Sequence, residues 1–138
     1  MINAPDSILL LMKNNFHQIK MKFKIAVVQF EIKQFSPEIN LKRAEEFVKK
    51  AAFLKSNIIV FPEDFITGPA ETKKEFADSE YTYREYFQRL AKKYKIDIVP
   101  GSILEVDNYG LHNTTYYFDS LGKIKARYRK VHLWLPER

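Results

Sequence analysis

The chain has 138 residues, enough for one compact domain or for one half of a larger one. Its 46% hydrophobic and 29% charged content reads as globular, and eleven Phe and eight Tyr supply material for a core. The net charge of +6 comes from Lys and Arg scattered along helical faces without a basic block, which argues against a specific nucleic-acid partner, and the absence of cysteine excludes disulfides and zinc–thiolate sites from this segment.

Residues 1–20 differ from the rest and are set apart as an N-terminal extension. The apolar run Ile8-Leu9-Leu10-Leu11-Met12 is too short for a membrane span or a signal-peptide core, so no membrane partner is expected. Ile8, Leu11, Met12, Phe16 and Ile19 recur at helical spacing, with Asp6 or Ser7 to cap, and predict a short amphipathic helix. The domain proper is residues 21–138.

Lys24-Ile25-Ala26-Val27-Val28-Gln29-Phe30 predicts a strand buried on both faces or nearly so. Ser36-Pro37 predicts a helix start, with Ser as N-cap and Pro in the first turn. Leu41, Ala44, Val48, Ala51 and Ala52 form its apolar stripe to about Lys55, and Glu45–Lys49 and Glu46–Lys50 are favourable pairs on the wet side. Ile58 to Phe61 is a second strand, ended by Pro62, which cannot donate to a sheet ladder. Glu63 therefore emerges at a strand tip. A second helix covers Tyr81 to Lys95, with Tyr83, Tyr86, Phe87, Leu90, Ala91 and Tyr94 on its buried face. Strands follow at Ile96–Val99, His112–Phe118 and Lys123–Tyr128, with turns at Asn108-Tyr109-Gly110 and Asp119-Ser120-Leu121-Gly122. The order β-α-β-α-β-β-β predicts an α/β fold with a mixed sheet and helices on one face.

Reactive groups in such sheets gather beyond the carboxyl ends of strands, where Glu63 sits between Pro62 and Asp64-Phe65. Burial there would make it a proton acceptor near neutral pH. Lys130, flanked by Val131-His132-Leu133-Trp134, is expected to seek a carboxylate or a developing oxyanion. Taken singly, the two read more simply as a solvated carboxylate and a snorkelling lysine. His132 reads as a packed loop residue, and His17 and His112 lack supporting neighbours. Asn113-Thr114-Thr115 matches a glycosylation sequon but lies in a predicted strand.

Together, Lys24 to Phe30, Phe61-Pro62-Glu63, Pro100-Gly101-Ser102 and Tyr128-Arg129-Lys130-Val131-His132-Leu133 resemble the nitrilase, or carbon–nitrogen hydrolase, superfamily in order and spacing. The resemblance implies roughly half of an αββα sandwich and a Glu-Lys-Cys triad that hydrolyses small-molecule amides or nitriles. By that resemblance Glu63 is the general base, Lys130 steadies the tetrahedral intermediate, and Glu137, in Glu137-Arg138, is the second, positioning glutamate. The implied cysteine falls beyond Arg138, so the expectation is an N-terminal portion truncated before its nucleophile and inactive alone. The same resemblance implies no metal or organic cofactor, a cytoplasmic setting and a homo-oligomer for the complete protein. The alternative is a degenerate relative kept as a binding or assembly subunit.

Overall fold

A computed structural model of the chain describes residues 7–10, 22–70 and 73–132. Among these residues, strands β1 (Ser7–Leu10), β2 (Ile25–Gln29), β3 (Ile58–Val60), β4 (Asp97–Val99), β5 (Ile103–Asp107), β6 (Gly110–Phe118) and β7 (Ile124–Arg129) form one mixed sheet. Helices α1 (Pro37–Phe53) and α2 (Thr82–Tyr94) connect β2 to β3 and β3 to β4, which are parallel neighbours. Parallel strands need such crossovers, whereas β5, β6 and β7 follow one another through tight antiparallel turns.

β4 and β5 lie end to end along one edge of β6, with Ile98 opposite Phe118 and Ile103 opposite Thr114. The link Pro100-Gly101-Ser102 holds one residue more than straight pairing requires, so the chain bends there as at a bulge. Gly101 has φ +65°, and a Cβ on it would lie 1.8 Å from the Pro62 carbonyl oxygen. Only glycine lets the two backbones approach this closely.

Strand alternation sorts the sheet into two faces. Ala26, Val28, Ile59, Ile98, Ile103, Tyr116 and Phe118 pack against Ala44, Val48 and Ala51 of α1 and Phe87, Leu90 and Ala91 of α2 in one core. The intervening row Val27–Val60–Val99 faces away from the helices, and Val27 is 46% exposed. β2 is therefore buried on one face among the described residues, not on both as expected.

The helices begin where proline and turn chemistry place them, but their caps differ from expectation. Pro37 opens α1, yet the Ser36 hydroxyl donates back to the Gln34 carbonyl and caps nothing. Glu45 bonds across to α2, accepting from Lys93 Nζ at 2.7 Å and the Tyr94 hydroxyl at 2.8 Å, in place of the expected Lys49. These donors hold its carboxyl below the usual value. α2 is framed by left-handed Tyr81 and Lys95, and Asp78 caps it by accepting from the Thr82 and Tyr83 amides at 2.8 and 2.7 Å.

Two strands were not anticipated. β5 escapes a pattern reading because Glu105, at 1% exposure, occupies an inward position and accepts from the Tyr116 hydroxyl at 2.6 Å. Over Ser7–Leu10 the predicted amphipathic helix is replaced by β1, paired antiparallel with the edge of β2. The remainder of that predicted helix, residues 11–19, lies outside the described residues.

Candidate active site

β3 ends at Val60, and the next residues alternate across the sheet's carboxyl end. Phe61 and Phe65 turn to the helix side and stack at 4.9 Å between ring centroids, with Phe87 of α2 5.9 Å from Phe65. Glu63, between them, opens onto the opposite side. Asp64 holds this turn with φ 53°, a left-handed conformation that aspartate tolerates better than most residues. Its amide donates to Ser102 Oγ at 2.9 Å, and that hydroxyl donates to Asp64 Oδ1 at 2.9 Å. Further along, Asn40 of α1, fully buried, donates to the Ile66 carbonyl at 2.9 Å, and the Phe35 amide donates to the Thr67 carbonyl at 2.7 Å. The segment carrying Glu63 is thus fixed from the helix layer and from the β4–β5 link.

β6 and β7 supply the other wall. Asn113 and Thr115 share one face of β6, and Tyr128 stands opposite Thr115 on β7. Arg129 and Lys130 go to opposite faces. Arg129 donates to Asp107 Oδ2 at 2.8 Å on the helix side, and this bond holds its guanidinium further up. Lys130 reaches the Glu63 side, with Nζ 3.0 Å from Glu63 Oε1. Glu63, Gly101, Ser102, Asn113, Thr115, Tyr128 and Lys130 line an open cleft of about 350 Å³.

Asn113 ties the cleft together. Its side-chain amide donates to Glu63 Oε1 at 3.1 Å and to Asp64 Oδ1 at 3.4 Å, and its main-chain carbonyl accepts from the Lys130 main-chain amide at 2.9 Å. A carboxylate held by one oxygen can accept a proton at the other, and an ammonium beside it can neutralise a developing negative charge.

The structure brings together two of the three residues singled out in the sequence, Glu63 and Lys130, across 67 positions of chain. The third, Glu137, lies outside the described residues. The expected burial is not found. Glu63 is 56% and Lys130 30% exposed at the side chain, because the phenylalanines flanking Glu63 turn to the core and Val131 is itself exposed. His132 is exposed and not packed. His112, read as lacking neighbours, lies 3.0 Å from Asp107 on the β5–β6 hairpin. His17 is outside the described residues. Asp64 was not singled out, Asn113 and Thr115 were read only as part of a sequon, and Tyr128 only as part of the run that carries the family resemblance. The period-two alternation of β6 was the available signal for Asn113 and Thr115. Among the described residues, no cluster of acidic, His or Cys side chains could hold a metal, and no helix is long and apolar enough to cross a membrane.

The sequence profile of the carbon–nitrogen hydrolase family matches residues 24–138, a span that includes every residue named as lining this cleft. The chain belongs to the carbon–nitrogen hydrolase family. Among curated relatives of this family member, the 2-oxoglutaramate amidase of Bacillus subtilis (strain 168) is 34% identical over 116 residues, covering 83% of this chain and 44% of the relative. The omega-amidase NIT2 of Danio rerio is 37% identical over 118 residues, covering 82% of this chain and 41% of the relative. The chain therefore spans less than half the length of these relatives. An amidase from Nesterenkonia sp. superposes with a TM-score of 0.72 at 24% identity, over 82% of this chain and 44% of its own. That likeness establishes the fold, a mixed α/β portion of the nitrilase sandwich.

Proposed function

We propose that this hydrolase chain supplies the base and the cation of an amide-hydrolysing site whose thiol comes from outside these residues. The observation that carries the reading is the 3.0 Å contact between Glu63 and Lys130 at the mouth of the cleft. Glu63 takes the proton of the incoming thiol, and the thiolate attacks the carbonyl carbon of a short amide. Lys130 stabilises the oxyanion as the tetrahedral intermediate forms. Glu63 returns the proton to the departing nitrogen, leaving a thioester. Water, deprotonated by the same carboxylate, then releases the acid and restores the thiol. Glu137 serves as the second glutamate that positions substrate or lysine. The relatives' names favour amides of dicarboxylic acids over nitriles as substrates.

Two assays of ammonia release test this. The 138-residue chain, given short amides, nitriles and ω-amides, is expected to release none. Expressed together with the part of the Bacillus subtilis (strain 168) 2-oxoglutaramate amidase that this chain does not match, it is expected to hydrolyse an ω-amide. That activity should vanish on thiol alkylation and fall about 10³-fold in Glu63→Gln. Thiol-independent release by the chain alone that disappears in Glu63→Ala would overturn the proposal. Silence in both assays would favour the degenerate-subunit reading.

A further inference from the structure

Asn113 is buried, 7% exposed, at the back of the cleft. Its side-chain amide meets the base while its main-chain carbonyl accepts from the main-chain amide of the lysine. With the Lys130–Glu63 contact these bonds close a ring, from the Glu63 carboxylate to Lys130 Nζ, along Lys130 to its amide, to the Asn113 carbonyl, and through the Asn113 side chain back to Glu63. Both donors fall on Oε1 of Glu63. Oε2 accepts no hydrogen bond among the described residues.

We propose that Asn113 is a positioning residue that holds Glu63 by one carboxylate oxygen, keeps the other for proton transfer, and sets the reach of Lys130. The role rests on the proposed function of the pair. A primary amide suits it because it donates at every pH and cannot compete for the proton. Its neighbours explain its precision. Asp64 accepts from the same nitrogen and from Ser102, so the amide plane is aimed by two acceptors on adjacent residues. An aspartate at this place would match the shape while adding a like charge beside Glu63, and an alanine would remove the donor alone.

The test uses the 138-residue chain and needs no turnover, so it stands or falls separately from the hydrolase reading. Lysine acylation by a small amine-reactive ester is mapped by mass spectrometry in the wild type, Asn113→Ala and Asn113→Asp. Lys93, paired with Glu45 at 2.7 Å between the two helices, is the internal control. The expected result is modification of Lys130 about three- to tenfold faster in Asn113→Ala, where Glu63 loses its side-chain donor and leaves the lysine, and slower in Asn113→Asp, where a second carboxylate favours the charged ammonium, with Lys93 unchanged. A role in packing alone would make Asn113→Ala accelerate Lys130 just as much in a Glu63→Gln background, where positioning through the carboxylate gives no further gain, and that result would overturn the proposal, as would an unchanged Lys130 in both variants. Should both variants fail to fold, the side-chain amide signals of Asn113 decide by NMR. Displacement and faster exchange in Glu63→Gln but not in Glu45→Gln supports the proposal, and indifference to Glu63→Gln overturns it.

Discussion

At Gly101 the backbone takes φ +65° directly against the Pro62 carbonyl, one residue before the carboxylate that lines the cleft. A methyl group there meets backbone and not a movable side chain, and an L-residue is also strained at that φ. Gly101→Ala is therefore expected to cost about 2 kcal/mol or more, read as a lowered urea midpoint, and to displace the Glu63 turn from Ser102. A variant as stable as the wild type would show that the two segments part easily. The same residues mark how far a sequence reading reaches. Glu63 and Lys130 were legible because a proline ends one strand just before the first, and the second follows a strand in a run that resembles a known family. Asn113, Thr115 and Tyr128 were not, since which face of a strand a polar residue takes depends on partners distant in sequence.

Among the elements, the β5–β6 hairpin meets β7 in a charged cluster around Asp107. Asp107 accepts the Tyr109 amide at its turn, His112 at 3.0 Å and Arg129 at 2.8 Å. The Tyr109 amide first, then the His112 and Arg129 side chains, hold its carboxyl below the usual aspartate value of 3.8. A carboxyl depressed by folding contributes stability that is fully present above that unfolded value and is lost as pH falls through the folded one. The melting temperature of the wild type should thus fall more steeply below about pH 4 than that of Asp107→Asn, measured by circular dichroism down to about pH 2. Parallel slopes would mean that Asp107 makes these bonds in the unfolded chain too. This hairpin was only half legible. Its turn and β6 were read from Asn108-Tyr109-Gly110 and the aromatic run, while β5 was hidden by a buried glutamate whose tyrosine partner sits eleven positions away. The helices were read nearly to their ends, because a 3.6-residue apolar rhythm survives whatever the caps do.

For the molecule as a whole, the sheet face turned away from the helices, partly exposed among the described residues, is the dominant fact. Val27, Val60 and Val99 run in register across three strands, and Val27 and Tyr128 are 46% and 58% exposed. An apolar face without cover drives association. The purified chain is expected to self-associate in sedimentation velocity, and Val27→Lys to shift it toward monomer. A monomer melting sharply and independently of concentration would contradict this. The fold class was legible because βαβ order and antiparallel turns leave few arrangements. The exposure of Glu63 was not, because burial depends on what lies against the cleft and not on the residues beside it in the chain.

Every second residue of β6 answers to a different demand. Thr114, Tyr116 and Phe118 are pressed into the helix layer, while Asn113 and Thr115 border the cleft. An engineer can therefore redesign what the mouth of this cavity admits at Thr115 and at Tyr128 across from it, and leave the thermodynamic foundation untouched. The strand behaves as two independent texts written on the two sides of one sheet of paper.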